Sequence, residues 1–454
     1  MTSRRDAFYA ERDRRTLQYG GVDDALELPV LIVVGADVAA TRAGQIAALA
    51  LVNMVARVHR RIGLVVPDAP LLAHSLIPVP DFPIGMISTA RAINPVLDLY
   101  LGSDIDAQSF VASIGLGADV PTNLDVYLDW HGGRGSISDA WLPGESDPDS
   151  VFGAATAAVL GSAALFRLSH GQPVYHARFN PLELIDGDAA GTRDYPGPID
   201  VGDVLVVGAG AVAAGLMYWV SELGVHGTWD IVDGDFAELH NTNRCLTMTA
   251  EDAGWPGGTR TTKSISKAAS VARMAGGRAS VEWYQQWQPD HQERHDLVLP
   301  LANGPDLRTL IAQRGEPVLL HATTSGNWTA ELHRHRPDRD DCPSCRIPDT
   351  ARPQLACATG PAVVEEPDSP DAALPFLSAA AGLMLAATLA DFPDATAMTQ
   401  SSNHWRLDLT LTGKLLWLPL QHPPLEGCRQ HIQSGHIRHQ VQGAEPRRWD
   451  HLDR

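Results

Sequence analysis

The residues with the clearest chemical potential lie in one stretch, "DVLVVGAGAVAAGLMYWVSELGVHGTWDIVDGD", residues 203–235. Gly208, Gly210 and Gly215 form a glycine-rich turn after an apolar run, and Asp233 and Asp235 close the next apolar run. A glycine turn that opens a helix lets a phosphate approach backbone N–H groups, and an acid at the end of the second strand suits ribose hydroxyls. That much fits NAD as well as ATP. The residues that follow separate the two: "DGDFAELHNTNRC" supplies Asn241, Asn243 and Arg244, and "GTRTTKSISK" supplies Lys263. Negative charge builds on phosphates and leaving group during transfer, and fixed cations stabilise it. An arginine and a lysine close behind a ribose acid therefore favour a triphosphate.

Sulfur is the second resource. The five cysteines are Cys245, Cys342, Cys345, Cys357 and Cys428. The odd number, and an N-terminus with no apolar core of a signal peptide, point to metal or thiol chemistry in a reducing, cytoplasmic compartment. C-P-S-C (Cys342, Cys345) and C-R-Q-H (Cys428, His431) have the pair spacing of a tetrahedral Cys₃His zinc site. A single C-x-x-C also reads as a redox motif or a coincidence. His422, His436 and His439 fit the pairing less well. Cys357, in "QLACATG", is left over; it is either an exposed loop nucleophile or a buried structural thiol. Cys245 abuts the nucleotide motif and reads as packing.

These residues need a scaffold, and the chain reads as built twice. "PVLIVVGADVAATRAGQIAALALVNMVARVHRRIGLVVPD" (29–68) reads strand, turn, helix, strand, as 203–235 does. "VFGAATAAVLGSAALFRL" (151–168) and "PFLSAAAGLMLAATLADF" (375–392) are matching small-residue helices. The expected fold is α/β: two Rossmann-like halves in a pseudo-dimer, with a small zinc knuckle. A degenerate domain spans 1–200, an active one 201–439 and a polar tail 440–454, with a linker over 185–202. Chance likeness between two Rossmann-like starts is the competing explanation. In the first half Asp37 stands where Gly210 stands, so a β-carbon and a carboxylate obstruct a phosphate there.

Composition limits the partners. A net charge of −19 repels nucleic-acid phosphate. The apolar run 375–390 is too short to span a bilayer and reads as a buried helix. Neither nucleic acid nor membrane is expected.

The series "GAGAVAAG…DGDFAELHNTNRC…K" resembles the ThiF/MoeB/ubiquitin-activating (E1-like) superfamily, over roughly 200–435 and more weakly in the first half. The resemblance implies an adenylyltransferase that joins ATP to the C-terminal glycine carboxylate of a ubiquitin-like or sulfur-carrier protein. It implies that Asp233 holds ribose, that Asn241 and Arg244 contact phosphates, and that Lys263 stabilises the transition state. It also implies an arginine borrowed from the N-terminal segment, Arg14 or Arg15, and raises the structural-zinc reading of Cys342, Cys345, Cys428 and His431. In members that form a thioester, a cysteine occupies the place of Cys357. A separate conjugating enzyme would then receive the activated protein, and the pseudo-dimer would act as a monomer or homodimer. Two departures stand out. Cys245 replaces the glutamine after the arginine, and Asn303 aligns with the magnesium-binding aspartate. Either Asp306 or the phosphates hold Mg2+, or the site is slow or inactive. The alternatives are a peptide-adenylating relative with no thioester step, a nicotinamide-dependent oxidoreductase, and a binding-only pseudoenzyme. The oxidoreductase leaves Arg244, Lys263 and the zinc pairs unexplained.

Overall fold

The structure is a computed structural model that describes residues 3–19, 23–102, 105–140, 146–183, 191–195, 197–256, 264–291, 295–302, 305–312, 318–336, 339–346, 374–391, 401–412, 417–426 and 428. Two sheets carry it. The first holds β1 (Val30–Val34), β2 (Arg61–Val65), β3 (Asp98–Leu101), β4 (Ala112–Leu116), β5 (Val126–His131), β6 (Arg134–Ser138) and β7 (Ala177–Phe179), in the order β3-β2-β1-β4-β5-β6-β7. The second holds β8 (Ile199–Val207), β9 (Val225–Val232), β10 (Arg278–Ser280), β11 (Leu297–Pro300), β12 (Leu319–Ser325), β13 (Thr329–His335), β14 (His404–Asp408) and β15 (Trp417–Leu420), in the order β10-β9-β8-β11-β12-β13-β14-β15.

The second order repeats the first strand for strand and adds β15. Pairing direction repeats as well: β3-β2-β1-β4-β5 and β10-β9-β8-β11-β12 are parallel, and the strands beyond them are antiparallel. Helices match too. Arg42–Ala56 and Ala211–Leu223 follow the first strand of each half, and Val151–Ser169 and Pro375–Ala390 follow the sixth. Coincidence of two short motifs does not generate this correspondence, so the chain consists of two Rossmann-like halves.

The parallel strands are apolar on both faces because helices cover both; "VLIVV" of β1 is buried throughout. One hydrophobic cluster runs through both halves and includes Ile32, Leu128, Leu160, Val206, Met217 and Leu385. Gly215 lies inside the Ala211–Leu223 helix, not in the turn. A β-carbon there would stand 2.5 Å from Ser378 O on the Pro375–Ala390 helix, so this glycine serves helix packing. The 375–390 run is the buried helix expected. Val151–Ser169 is the one helix among the described residues long and apolar enough to cross a membrane, but 89% of its apolar window is buried inside the protein. The linker expected over 185–202 is shorter than its composition suggested, since Ile199 already begins β8.

Candidate nucleotide site and metal centre

The apolar residues of β8 deliver Gly208 to the carboxyl edge of the second sheet, where the chain turns toward β9 on one side and β11 on the other. Ligands of open α/β sheets bind at such a switch point. Gly208 has φ +99°, and a β-carbon on it would lie 2.6 Å from Ala302 N, so both backbone and space require glycine. Gly210 caps the Ala211–Leu223 helix without a side-chain hydrogen bond, and a β-carbon on it would meet nothing within 4 Å. The turn is therefore open above a helix N-terminus, which favours an anion.

Asp233 is bonded directly to that turn. Its Oδ2 accepts from Ala209 N (2.7 Å) and its Oδ1 from Asp235 N (2.8 Å). The Asp235 carboxylate in turn pairs with Lys267 Nζ at 2.5 Å. A hydrogen-bonded series thus links the glycine turn to a lysine that opens the Lys267–Ala275 helix. Sequence reading singled out Lys263, which lies outside the described residues, and passed over Lys267. The available signal was Ser266, whose hydroxyl caps that helix by accepting from Ala269 N; the next residue's N–H donates to Asp235 O at 3.0 Å.

Arg244 donates to His240 O and Asn243 Oδ1, both at 3.0 Å. The N-terminal segment crosses to the same place: Arg14 Nη2 lies 3.2 Å from His240 Nδ1, and Asn243 Nδ2 donates to Thr16 Oγ1 at 3.2 Å. Burial, then the charges of Arg244, Arg15, Arg14 and Lys267, push His240 down to about 3. The field of these four cations outweighs the Glu11 and Glu238 carboxylates, which lie 3.4 and 3.3 Å from His240 Nδ1, and keeps the imidazole neutral. Asn241 is buried, and its Oδ1 accepts from Glu238 N (2.9 Å), so it shapes the loop.

The first half holds this loop from behind. Fully buried Arg57 donates to the carbonyls of Thr242 (2.5 Å), Leu246 (2.7 Å) and Met248 (3.0 Å), and Asn53 Nδ2 also reaches Leu246 O. The first half's own turn is filled. Asp119 accepts from Ala36 N (3.0 Å), and Asp37 accepts from Ala118 N (3.0 Å). Both carboxylates crowd Gly35, and Asp119 takes the Ala36 N–H that a phosphate would need.

Cys342, Cys345 and Cys428 converge near the end of β13 and beyond β15, with Cys342 Sγ 3.5 Å from Cys345 Sγ and 3.7 Å from Cys428 Sγ. Thiolates about 2.3 Å from a tetrahedral zinc sit about 3.8 Å from one another, so the three sulfurs fit the ion. They are too far apart for disulfides, whose S–S length is about 2.05 Å. Burial, with the neighbouring sulfurs, raises the Cys342 thiol far above its usual range, a cost that a divalent cation reverses. His431, Asn303 and Cys357 lie outside the described residues, as does the Asp306 side chain.

Glu331, His333 and His404 also come together at metal-like spacing. Their hydrogen bonds favour another use. Arg346 is fixed by Asp341 (2.6 and 2.7 Å), and its Nη1 lies 2.8 Å from His333 Nδ1. Arginine only donates, so His333 Nδ1 accepts and the proton of the neutral ring sits on Nε2, toward Thr323 and Glu331. A metal needs that nitrogen bare. Among the described residues this group is a proton-ordered network that braces β12, β13 and β14 beside the cysteines.

A protein-family model described as the BilD N-terminal domain matches residues 29–182, the span of the first sheet. No curated protein matches the chain. Among solved structures it is similar to E. coli MccB with MccA-N7isoAsn, at TM-score 0.38 and 11% identity over 55% of this chain and 69% of that one. It is similar to E. coli MccB with AMPCPP and MccA at TM-score 0.37 and 10% identity, over 60% and 73% of the two chains. It is similar to PaaA at TM-score 0.34 and 9% identity, over 53% and 75%.

Proposed function

We propose that this chain uses ATP to adenylate the C-terminal carboxylate of a ubiquitin-like protein. The observation that carries the reading is the open glycine turn, bonded to Asp233 and linked through Asp235 to Lys267, beside the cations grouped on His240. A carboxylate oxygen of the terminal glycine attacks the α-phosphorus. The α–β phosphoanhydride bond breaks, and pyrophosphate leaves with the electron pair. Lys267, Arg244 and an arginine from the N-terminal segment, Arg14 or Arg15, balance the charge on the leaving group. Lys263 keeps the transition-state role that the resemblance implies, Asn303 stands at the magnesium position, and the phosphates or Asp306 hold Mg2+.

In the second step the Cys357 thiolate attacks the acyl carbon, AMP departs, and a thioester remains for transfer to a separate conjugating enzyme. The zinc at Cys342, Cys345, Cys428 and His431 is structural, with no open position. The first half, with its filled turn, is the inactive domain of the pseudo-dimer. The protein works in the cytoplasm.

The test is ATP–pyrophosphate exchange by the full chain, with a ubiquitin-like protein ending in glycine as acceptor. Exchange, together with a dithiothreitol-sensitive adduct that Cys357→Ala abolishes, supports the whole scheme. Exchange with no such adduct leaves peptide or sulfur-carrier adenylation. ATP binding without exchange leaves a binding-only protein, and no ATP binding removes the nucleotide reading.

A further inference from the structure

Trp283 follows β10 at the carboxyl edge of the second sheet and is 54% exposed, the most exposed large hydrophobic side chain among the described residues. It is also held in place. Tyr284 and Trp287 beside it are buried in a small core cluster with Leu205, Val207 and Val232. Its carbonyl accepts from Gln286 N (2.8 Å) and Trp287 N (3.0 Å). Asp233 N donates to Ser280 O at 3.1 Å, which ties the strand before Trp283 to the ribose acid. The indole lies on Gly234, between Asp233 and Asp235; a β-carbon there would come within 2.8 Å of the ring, so only glycine allows the contact.

One indole face thus rests on the turn that carries Asp233, and the ring is largely open to solvent. A nucleoside held by its ribose hydroxyls at Asp233 carries its base within a few ångströms of those hydroxyls. We propose that Trp283 is the stacking platform for the base of the bound nucleotide, with Gly234 setting its height. This inference rests on the nucleotide reading above and assigns that site a residue for the base. Stacking on an aromatic face tolerates any base, so Trp283 adds affinity for nucleosides over bare phosphates, not a choice among bases.

The test compares wild type, Trp283→Ala and Trp283→Phe by calorimetric titration with ATP–Mg2+ and, separately, with inorganic tripolyphosphate–Mg2+. Circular dichroism confirms that each variant is folded. The expected result is a loss of about 10-fold in ATP affinity for Trp283→Ala, tripolyphosphate unchanged, and most of the loss recovered in Trp283→Phe. Undiminished ATP affinity in Trp283→Ala, or an equal loss for tripolyphosphate, overturns the platform and leaves the nucleotide site standing. Wild-type protein that binds neither ligand overturns both.

Discussion

Asp37 and Asp119 do for the first glycine turn what a phosphate would do for the second. Asp37 was legible in the sequence because it sits two residues after Gly35, in the first turn of the Ala36–Ala39 helix. Asp119 was not, because it arrives from beyond β4 to take the Ala36 N–H. Asp37→Gly alone leaves Asp119 on the turn. Calorimetry should therefore find one ATP site per chain both in wild type and in Asp37→Gly; a second site in the variant would contradict this account. In the second half, Lys267 has a hydrogen-bonded connection to the turn, whereas the resemblance singles out Lys263. Removing a single preorganised charge or donor from a developing anion typically slows the step by about 10²–10³-fold. Lys267→Ala should lower pyrophosphate exchange on that scale, and Lys263→Ala less. The reverse ranking would return the role to Lys263.

At the scale of elements, the tightest feature is the crossing of the Ala211–Leu223 and Pro375–Ala390 helices. Gly215 faces Ser378 O, Gly382 faces the Gly215 backbone, and Trp219 Nε1 donates to Ala379 O at 2.8 Å. Pro375–Ala390 was visible as a small-residue run and Ala211–Leu223 as the helix after the glycine turn, but which glycine belongs to the turn and which to the crossing depends on Ser378, far along the chain from Gly215. Overpacking such a crossing costs typically about 1–3 kcal/mol. Urea unfolding of Gly215→Ala should show a loss of that order, with no loss for a substitution at open Gly210 beyond weaker ATP binding. The proposed zinc knuckle belongs to this scale too. Elemental analysis should find zinc in wild type and none in Cys342→Ser, and in that variant β13 and β15 should lose hydrogen-exchange protection together. Zinc content equal to wild type would place the ion elsewhere.

Across the whole molecule, the two halves are joined through buried polar groups that no local pattern announces. Arg57 reaches carbonyls far along the chain, and Glu222 meets Arg42 of the other half at 3.1 Å. Burial lowers Arg57 to about 9, so it remains charged at neutral pH. These groups, with the buried histidines, set how the fold responds to acid. Burial, then His170 and Arg12, lowers His59 from near 6.5 to about 3, and His240 is lowered as far by burial and its four cations. Both rings are neutral in the native state, whereas the unfolded chain takes up protons below about pH 6.5. Their contribution is therefore intact above that pH and is lost as the pH falls toward 3, by up to about 1.4 kcal/mol per pH unit each. Glu222 runs the other way. Burial raises it to about 7 against the pull of Arg42, so its contribution is full below its usual value of 4.5 and is lost as the pH rises through 7. Between these limits the lowered histidines outnumber the one glutamic acid, so stability should climb with pH from 5 to 6.5, most steeply at the lower end. Buried His321, His333 and His335 are also lowered and add to the same slope. Urea unfolding across that range should show the climb, steeper in Glu222→Gln and shallower in His59→Gln. A slope unchanged by His59→Gln would mean that this imidazole is already protonated in the folded chain, and the acid sensitivity would then have to come from elsewhere.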